Sequence, residues 1–320
     1  GKTITRGLGA GMNPEVGQRS AAENQNEIRD MLRGADMVFV TCGLGGGTGT
    51  GASPLIAEVA RDSGALTIGV VTKPFSWEGA QRNAIADKGL AELAEKVDAI
   101  IVIPNDKIMQ IIDKKTSLLD SFGIVDEVLR QGVQGIAELI TIPGLINVDF
   151  ADVKAIMQDA GSALMGIGEA SGENRAVAAA KQSISSPLLD LSMDGAKGIL
   201  FTITGSPDLT MHEVNEAARI ITESADVNAK IIFGAVIDEN LKNKIRITVV
   251  ATNFGDTPIR ARQVEVERPV YVPTMEALRK IKAEEEIIDS DFTPPAKDKT
   301  QKSKEEEELE IPAFIRKKMG

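Results

Sequence analysis

The sequence predicts an α/β protein: a Rossmann-like parallel sheet, then a long central helix, then a second α/β region with a mixed sheet and a disordered C-terminal tail. Three observations carry this. Short β-branched runs alternate with helical periodicity through the first hundred residues. A glycine tract sits between the first clear strand and its helix. An uninterrupted helical pattern then covers residues 116–142. The expected divisions are 1–115, 116–142, 143–256, an acid-rich linker at 257–308 and an apolar-basic segment at 309–320.

Each element has a local reason. Residues 37–41 form an apolar run, and the tract Gly43 to Gly51 follows it. Ser53 reads as an N-cap with Pro54 at the first helical position. Leu55, Ile56, Val59 and Ala60 recur at helical spacing. Residues 66–72 form the next strand, stopped by Lys73-Pro74; 77–96 read as a helix, and 99–103 as a strand stopped by Pro104. Along 116–142, Leu118, Phe122, Val125, Leu129, Val133, Ile136 and Ile140 advance by three or four. Leu119, Val128 and Leu139 widen that stripe, so the helix is expected to be buried on more than one side. Its length is about 40 Å at 1.5 Å per residue, and Pro143-Gly144 stops it. The second region reads as helices at 149–160, 173–185 and 211–225, with strands at 163–167, 198–204, 231–237 and 245–251. The last two strands are expected to be neighbours and partly antiparallel. The opening residues 1–11 read as a strand end followed by a glycine loop, so the sequence is expected to begin inside a domain.

Composition narrows the chemistry. The net charge is −11, which disfavours nonspecific nucleic-acid binding. No apolar run reaches the roughly 18 residues of a spanning helix, so no direct membrane insertion is expected and a cytoplasmic setting is. One cysteine, Cys42, excludes an internal disulfide framework, and one histidine, His212, excludes multi-histidine metal sites. Carboxylates, backbone amides, basic side chains or a hard cation remain. No protein metal-ligand set is assigned. Cys42 reads as a small apolar filler, His212 as a surface helix residue and Trp77 as packing.

Between strand and helix, Gly43-Leu44-Gly45-Gly46-Gly47-Thr48-Gly49-Thr50-Gly51 offers exposed N–H groups and a helix N-terminus, which together favour an anion. It is not a Walker A loop, because no Lys follows the glycines. Residues 47–52 match GxGxxA, but Val71-Thr72-Lys73 stands where a dinucleotide fold wants an acid, so a dinucleotide-dependent oxidoreductase is the weaker reading. A second glycine loop runs from Gly7 to Asn13.

GGGTGTG at residues 45–51, with GLGAGMNPEVG, VVTKPF, IPNDK, SLLDSFG, VQGIAELIT, GLINVDFADV and the terminal EIPAFIRKK, resembles the FtsZ family of bacterial division-ring GTPases, within the tubulin/FtsZ superfamily. The resemblance covers nearly the whole chain outside the linker, and it implies an N-terminal segment that is missing here. It implies that Gly46, Gly47, Thr48, Gly49 and Thr50 hold GTP phosphates, with Gly9, Ala10 and Gly11 near the terminal one. Glu78 and Arg82 match the family's sugar- and phosphate-side residues; by spacing alone they are an ordinary i,i+4 pair. Phe122 and Asp126 would face the guanine, where many relatives carry Asn rather than Asp. Asn105 has a counterpart near the nucleotide; by spacing alone it is an N-cap.

The implied catalytic residues are Asp149 and Asp152, with Asn147 positioning water. By spacing alone, both acids are first-turn residues answering a helix dipole. The family's geometry places this loop against the nucleotide of the next subunit, giving a head-to-tail polymer. Mg²⁺, with K⁺ as a second candidate, would offset charge beside GTP or GDP. Ile311, Pro312, Phe314, Ile315, Arg316 and Lys317 would dock membrane-tethering and regulatory division proteins at a mid-cell ring. The rival implied by a missing N-terminal phosphate loop is a catalytically impaired, tubulin-like scaffold, with this chain binding GTP poorly.

Overall fold

A computed structural model describes residues 1–109, 116–185, 193 and 195–254. The linker and the apolar-basic segment, with Ile311, Pro312, Phe314, Ile315, Arg316 and Lys317, lie outside the described residues.

The chain builds α1 (Pro14–Glu23), α2 (Gln25–Leu32), β1 (Met37–Gly43), α3 (Thr48–Asp62), β2 (Leu66–Lys73), a 3-10 turn (Ser76–Glu78), α4 (Ala80–Ala94), β3 (Ala99–Pro104) and the short α5 (Asn105–Ile108). After α6 (Leu118–Thr141) come α7 (Phe150–Met157), β4 (Gly161–Ser171), α8 (Arg175–Ile184), β5 (Gly198–Gly205), α9 (Met211–Glu223), β6 (Lys230–Ile237) and β7 (Lys244–Thr252). The strands form one seven-stranded sheet in the order β1-β2-β3-β4-β7-β5-β6. β7 is antiparallel to both its neighbours, and the remaining pairs are parallel. The ladder between β3 and β4 holds only Ala99↔Gly161, Ile100↔Ser162 and Ile101↔Ala163, so the two halves of the sheet meet over a short joint.

Four expectations are corrected. Residues 2–7 form turns rather than a strand end. The helix after the glycine tract starts at Thr48, so Pro54 lies inside it and Ser53 is no N-cap; its hydroxyl donates to the Gly49 carbonyl at 2.7 Å. The tract winds early because its glycines let α1 lie directly on α3. A Cβ on Gly51 would stand 1.9 Å from the Pro14 carbonyl oxygen, and one on Gly17 would stand 2.2 Å from that of Gly47. The helix expected at 77–96 is broken at Gly79, whose φ of 104° is left-handed, and α4 begins after it. Finally, β6 and β7 are not neighbours, because β5 lies between them. β7 buries both faces, with Ile245, Ile247, Val249, Val250 and Ala251 all inside, so it belongs in the middle. β6 begins with exposed Lys230 and Ile231 and takes the edge.

α6 is the central helix the sequence predicts. Val125, Val128, Ile136 and Leu139 join a core with Ile68, Val70, Ile101, Val153, Ile156 and Leu200 from the sheet and α7. Two glycines permit the approach: a Cβ on Gly132 would meet Met165 at 3.2 Å, and one on Gly135 would meet Thr248 at 2.9 Å. A separate cluster under α8 and α9 holds Ile199, Phe201, Ile203, Val214 and Ile221. Phe201 stacks there on Phe233, with centroids 5.5 Å apart.

One buried cation braces that second cluster. The Arg175 side chain, 7% exposed, pairs with Glu213 at 2.7 Å and Asp208 at 3.1 Å. Glu213 also closes a capping box with Thr210 at the start of α9. The hydrogen bond from Arg175 is the main cause that holds the Glu213 carboxyl below the ordinary value of 4.5. A depressed carboxylate stabilises the fold above its unfolded value, and that contribution is lost as pH falls through the folded value. Thermal melts from pH 7 to pH 3 should therefore show stability falling below about 4.5. Glu213→Gln should be destabilised at pH 7 by about 1–3 kcal/mol, since the Arg175 charge loses a partner, and should show a shallower acid limb.

Candidate active site

β1, β2 and β3 end side by side. Gly43 is in register with Thr72, and Lys73 with Pro104, so the loops leaving the three strands share one rim. In parallel α/β sheets that rim is where ligands bind. The glycine tract leaves β1 there. Leu44 N–H donates to the Thr72 carbonyl at 2.9 Å, which fixes the tract's first step. Gly45 has φ of 92° and lies against α4: a Cβ on it would be 2.8 Å from the Arg82 carbonyl oxygen. The N-cap of α3 is Gly47, and no side chain caps it, so the first-turn N–H groups of α3 stay available to an anion.

The glycines divide into two kinds. Gly47, Gly49 and Gly51 are there for packing, since a Cβ on each would stand 2.7 Å from Asn13 N, 3.0 Å from Cys42 Cβ and 1.9 Å from Pro14 O respectively. Gly46 and Gly11 would put a Cβ into open space. The upstream loop reaches the tract through Ala10, whose N–H donates to Thr48 Oγ1 at 3.3 Å, and Gly9 lies against the same hydroxyl. Gly9, Ala10, Gly11, Gly46, Gly47, Thr48 and Gly49 are thus brought together. Thr50 is different: it is buried, and its hydroxyl accepts from Gly45 N–H at 3.0 Å.

Beyond the tract, contacts run in a chain. Glu78 accepts from Phe75 N–H at 2.9 Å and pairs with Arg82 at 3.1 Å. Arg82 Nε is buried without a hydrogen-bond partner among the described residues. Phe75, buried, is stacked by Trp77 at 5.3 Å and met edge-on by Phe122 at 5.9 Å. This brings the start of α6 to the rim, with the Phe122 ring half exposed and Asp126 exposed one turn on. Pro104 is the N-cap of α5, so Asn105 is not; it is the first helical residue, buried, with Oδ1 unpartnered among the described residues. Asp106 accepts from Ser76 N–H at 2.9 Å and pins the 3-10 turn to α5. Sequence reasoning placed Gly45 in the tract without a role of its own, and missed Phe75 and Asp106. Phe75 directly follows the Lys73-Pro74 stop, and nothing in the local pattern marks Asp106 as a brace for the 3-10 turn.

Asn147, Asp149 and Asp152 are not brought to this rim. They lie past the far end of α6, a 24-residue helix about 36 Å long. That end is anchored on β6, where Leu145 N–H donates to the Ala235 carbonyl at 2.8 Å. Asn147 Oδ1 accepts from Gly144 N–H at 2.7 Å and closes the turn. Asp149 is the N-cap of α7 and accepts from Asp152 N–H at 2.8 Å. The Asp152 carboxylate is exposed and carries no ion pair among the described residues. No three His, Cys, Asp or Glu side chains converge as a metal cage among the described residues.

The singletons behave simply. His212 is exposed, 3.6 Å from Glu216. Cys42 faces Ser53 at 3.5 Å, and burial pushes its thiol up. Trp77 is largely exposed yet stacked. No helix among the described residues is long and apolar enough to cross a membrane.

A glycine-rich loop at the carboxyl ends of parallel strands, feeding an uncapped helix, puts the chain in the class of α/β proteins whose sheet rim favours an anion. The model of the Tubulin/FtsZ family GTPase domain matches residues 1–113, and that of the FtsZ family C-terminal domain matches residues 161–255. The empty FtsZ dimer of M. jannaschii is 49% identical over 79% of this chain and 73% of that chain, with a TM-score of 0.75. A point mutant of the same FtsZ gives 49% identity over 79% and 76%, again at 0.75. GDP-bound CetZ1 from Haloferax volcanii shares the fold at 20% identity, TM-score 0.67, over 81% and 78%. The chain belongs to the FtsZ family.

The two kinds of glycine separate in a stability assay. Gly46→Ala should change stability by no more than about 0.5 kcal/mol. Gly51→Ala should force α1 off α3, cost about 1–3 kcal/mol and lower Tm by roughly 5 °C.

Proposed function

We propose that the chain is a GTPase that polymerises head to tail, each active site being completed by the neighbouring subunit. The observation that carries this reading is the separation of two half-sites along α6: a phosphate-type cradle at its start, and an exposed acidic loop past its end. Within one chain neither half reaches the other. The exposed apolar side chains fit the same reading. Leu8 and Trp77 flank the cradle residues Gly9 and Glu78 in the chain, and Leu145 lies in the turn that leads into the acidic loop. Joining one end to the other is heterologous, so it propagates as a filament.

In this reading the N–H groups of α3 and the open face at Gly46 hold the phosphates, with Gly9, Ala10 and Gly11 against the terminal one. Glu78, Arg82 and Asn105 line the sugar side. Arg82 Nε and Asn105 Oδ1, both buried without partners among the described residues, are the groups with unused capacity. Phe122 stacks on the guanine, and the Asp126 carboxylate accepts from its N1–H and 2-amino group, which adenine does not present together. Asp149 and Asp152 of the arriving subunit orient and polarise a water for in-line attack on the γ-phosphate, and Asn147 holds the loop's turn. The donor set suits Mg²⁺ carried on the phosphates, not one held by a protein cage. When bound, that ion neutralises phosphate charge; K⁺ is the second candidate. The division ring is the proposed setting, with Ile311, Pro312, Phe314, Ile315, Arg316 and Lys317 docking tethering and regulatory proteins.

The test is complementation. Asp152→Ala should bind GTP as wild type does but lose at least about 100-fold in turnover. Gly46→Asp should lose GTP binding by charge repulsion. Mixing the two chains should restore part of the turnover, since a junction that sets the Asp152→Ala cradle against the Gly46→Asp acids is complete, while the reverse junction carries both defects. Wild-type turnover by Asp152→Ala, or no recovery on mixing, would overturn the shared site.

A further inference from the structure

The two threonines of the tract face opposite ways. Thr48 is exposed and receives the Ala10 N–H from the upstream loop. Thr50, two residues on, is 1% exposed, and its hydroxyl accepts from the buried N–H of Gly45 at 3.0 Å. Gly45 cannot move away from it, because its other side lies on the Arg82 backbone and Pro74. Nor is the Thr50 side chain free to turn. Its methyl sits over Gly89 of α4, where a Cβ would come within 2.1 Å of Thr50 Cγ2.

We propose that Thr50 is a positioning residue: its hydroxyl fixes the Leu44–Gly45 peptide at the entry to the cradle, and its methyl, seated on Gly89, makes that geometry depend on where α4 lies. The Thr50 hydroxyl is buried and engaged by the Gly45 N–H, so it acts from behind the tract. It acts through Gly45, which carries a left-handed φ and sets the direction of the next N–H, that of Gly46. α4 also carries Arg82, so the contacts at Gly45, Gly89 and Arg82 tie one helix to both walls of the site. This inference rests on the reading of the cradle as a GTP site.

GTP binding by the full chain separates the alternatives, and thermal melts of each variant are run alongside. Thr50→Val keeps the shape but removes the acceptor, leaving the Gly45 N–H buried and unpaired; GTP affinity should fall about tenfold. Thr50→Ser keeps the hydroxyl and should bind within about threefold of wild type, although it loses the methyl contact. Gly89→Ala should push the Thr50 methyl and carry the hydroxyl off Gly45, again weakening GTP. The double variant Thr50→Ser with Gly89→Ala should recover binding, because serine leaves room for the new Cβ. That recovery keeps the test decisive even where Thr50→Val does not fold, provided the Gly89→Ala chain is folded in its melt, so that the lost affinity is not lost folding. The inference is overturned by wild-type affinity in a folded Thr50→Val or by no recovery in the double variant. Absence of GTP binding in the wild-type chain would instead sink the GTP reading itself.

Discussion

The packing of α6 along the sheet is the constraint on which the rest depends. The helix touches Phe75 near its start, Val70 and Met165 at Gly132, Thr248 at Gly135 and Gly234 through Leu139, and the turn after it closes on Ala235. These contacts are spread over β2, β4, β6, β7 and the loop after β2, so the helix cannot slide without breaking several at once. The acidic loop then lies past one end of a helix about 36 Å long, whose other end reaches the rim through Phe122. On the proposed reading, the two halves of the site meet only across a junction between chains.

Backbone packing at glycine is the second organising force. α1, the tract and α3 approach closely enough that a methyl group at Gly17, Gly47 or Gly51 would overlap main-chain atoms. The rigidity of the cradle therefore comes from helix packing behind it as well as from the loop's own dihedrals. The Thr50 hydroxyl extends this by holding the loop's one strained step, Gly45, against α4.

The second half of the chain is held by different means. Its sheet is continuous with the first only over the short β3–β4 ladder, reinforced where Gly161 N–H donates to the Asp98 carbonyl at 2.9 Å and by the Arg61–Asp159 pair. That pair is exposed and contributes little by itself. The buried Arg175 cluster, far from this joint, contributes to the stability of the second half rather than to the contact between halves.

Periodicity alone determined the central helix, most strands and the position of the glycine tract, because those follow from side-chain spacing within one segment. The pairing of β5 between β6 and β7 was not legible, since strand order depends on which strand buries both faces. Local sequence also marked Asp149 as a helix cap, which it is, without revealing that its loop faces away from the cradle. The glycines looked equivalent in the sequence. Only the fold sorted packing glycines from the open ones, and turned Thr50 inward while leaving Thr48 outside, because that choice is made by the neighbours α1 and α4 supply and not by the residue itself.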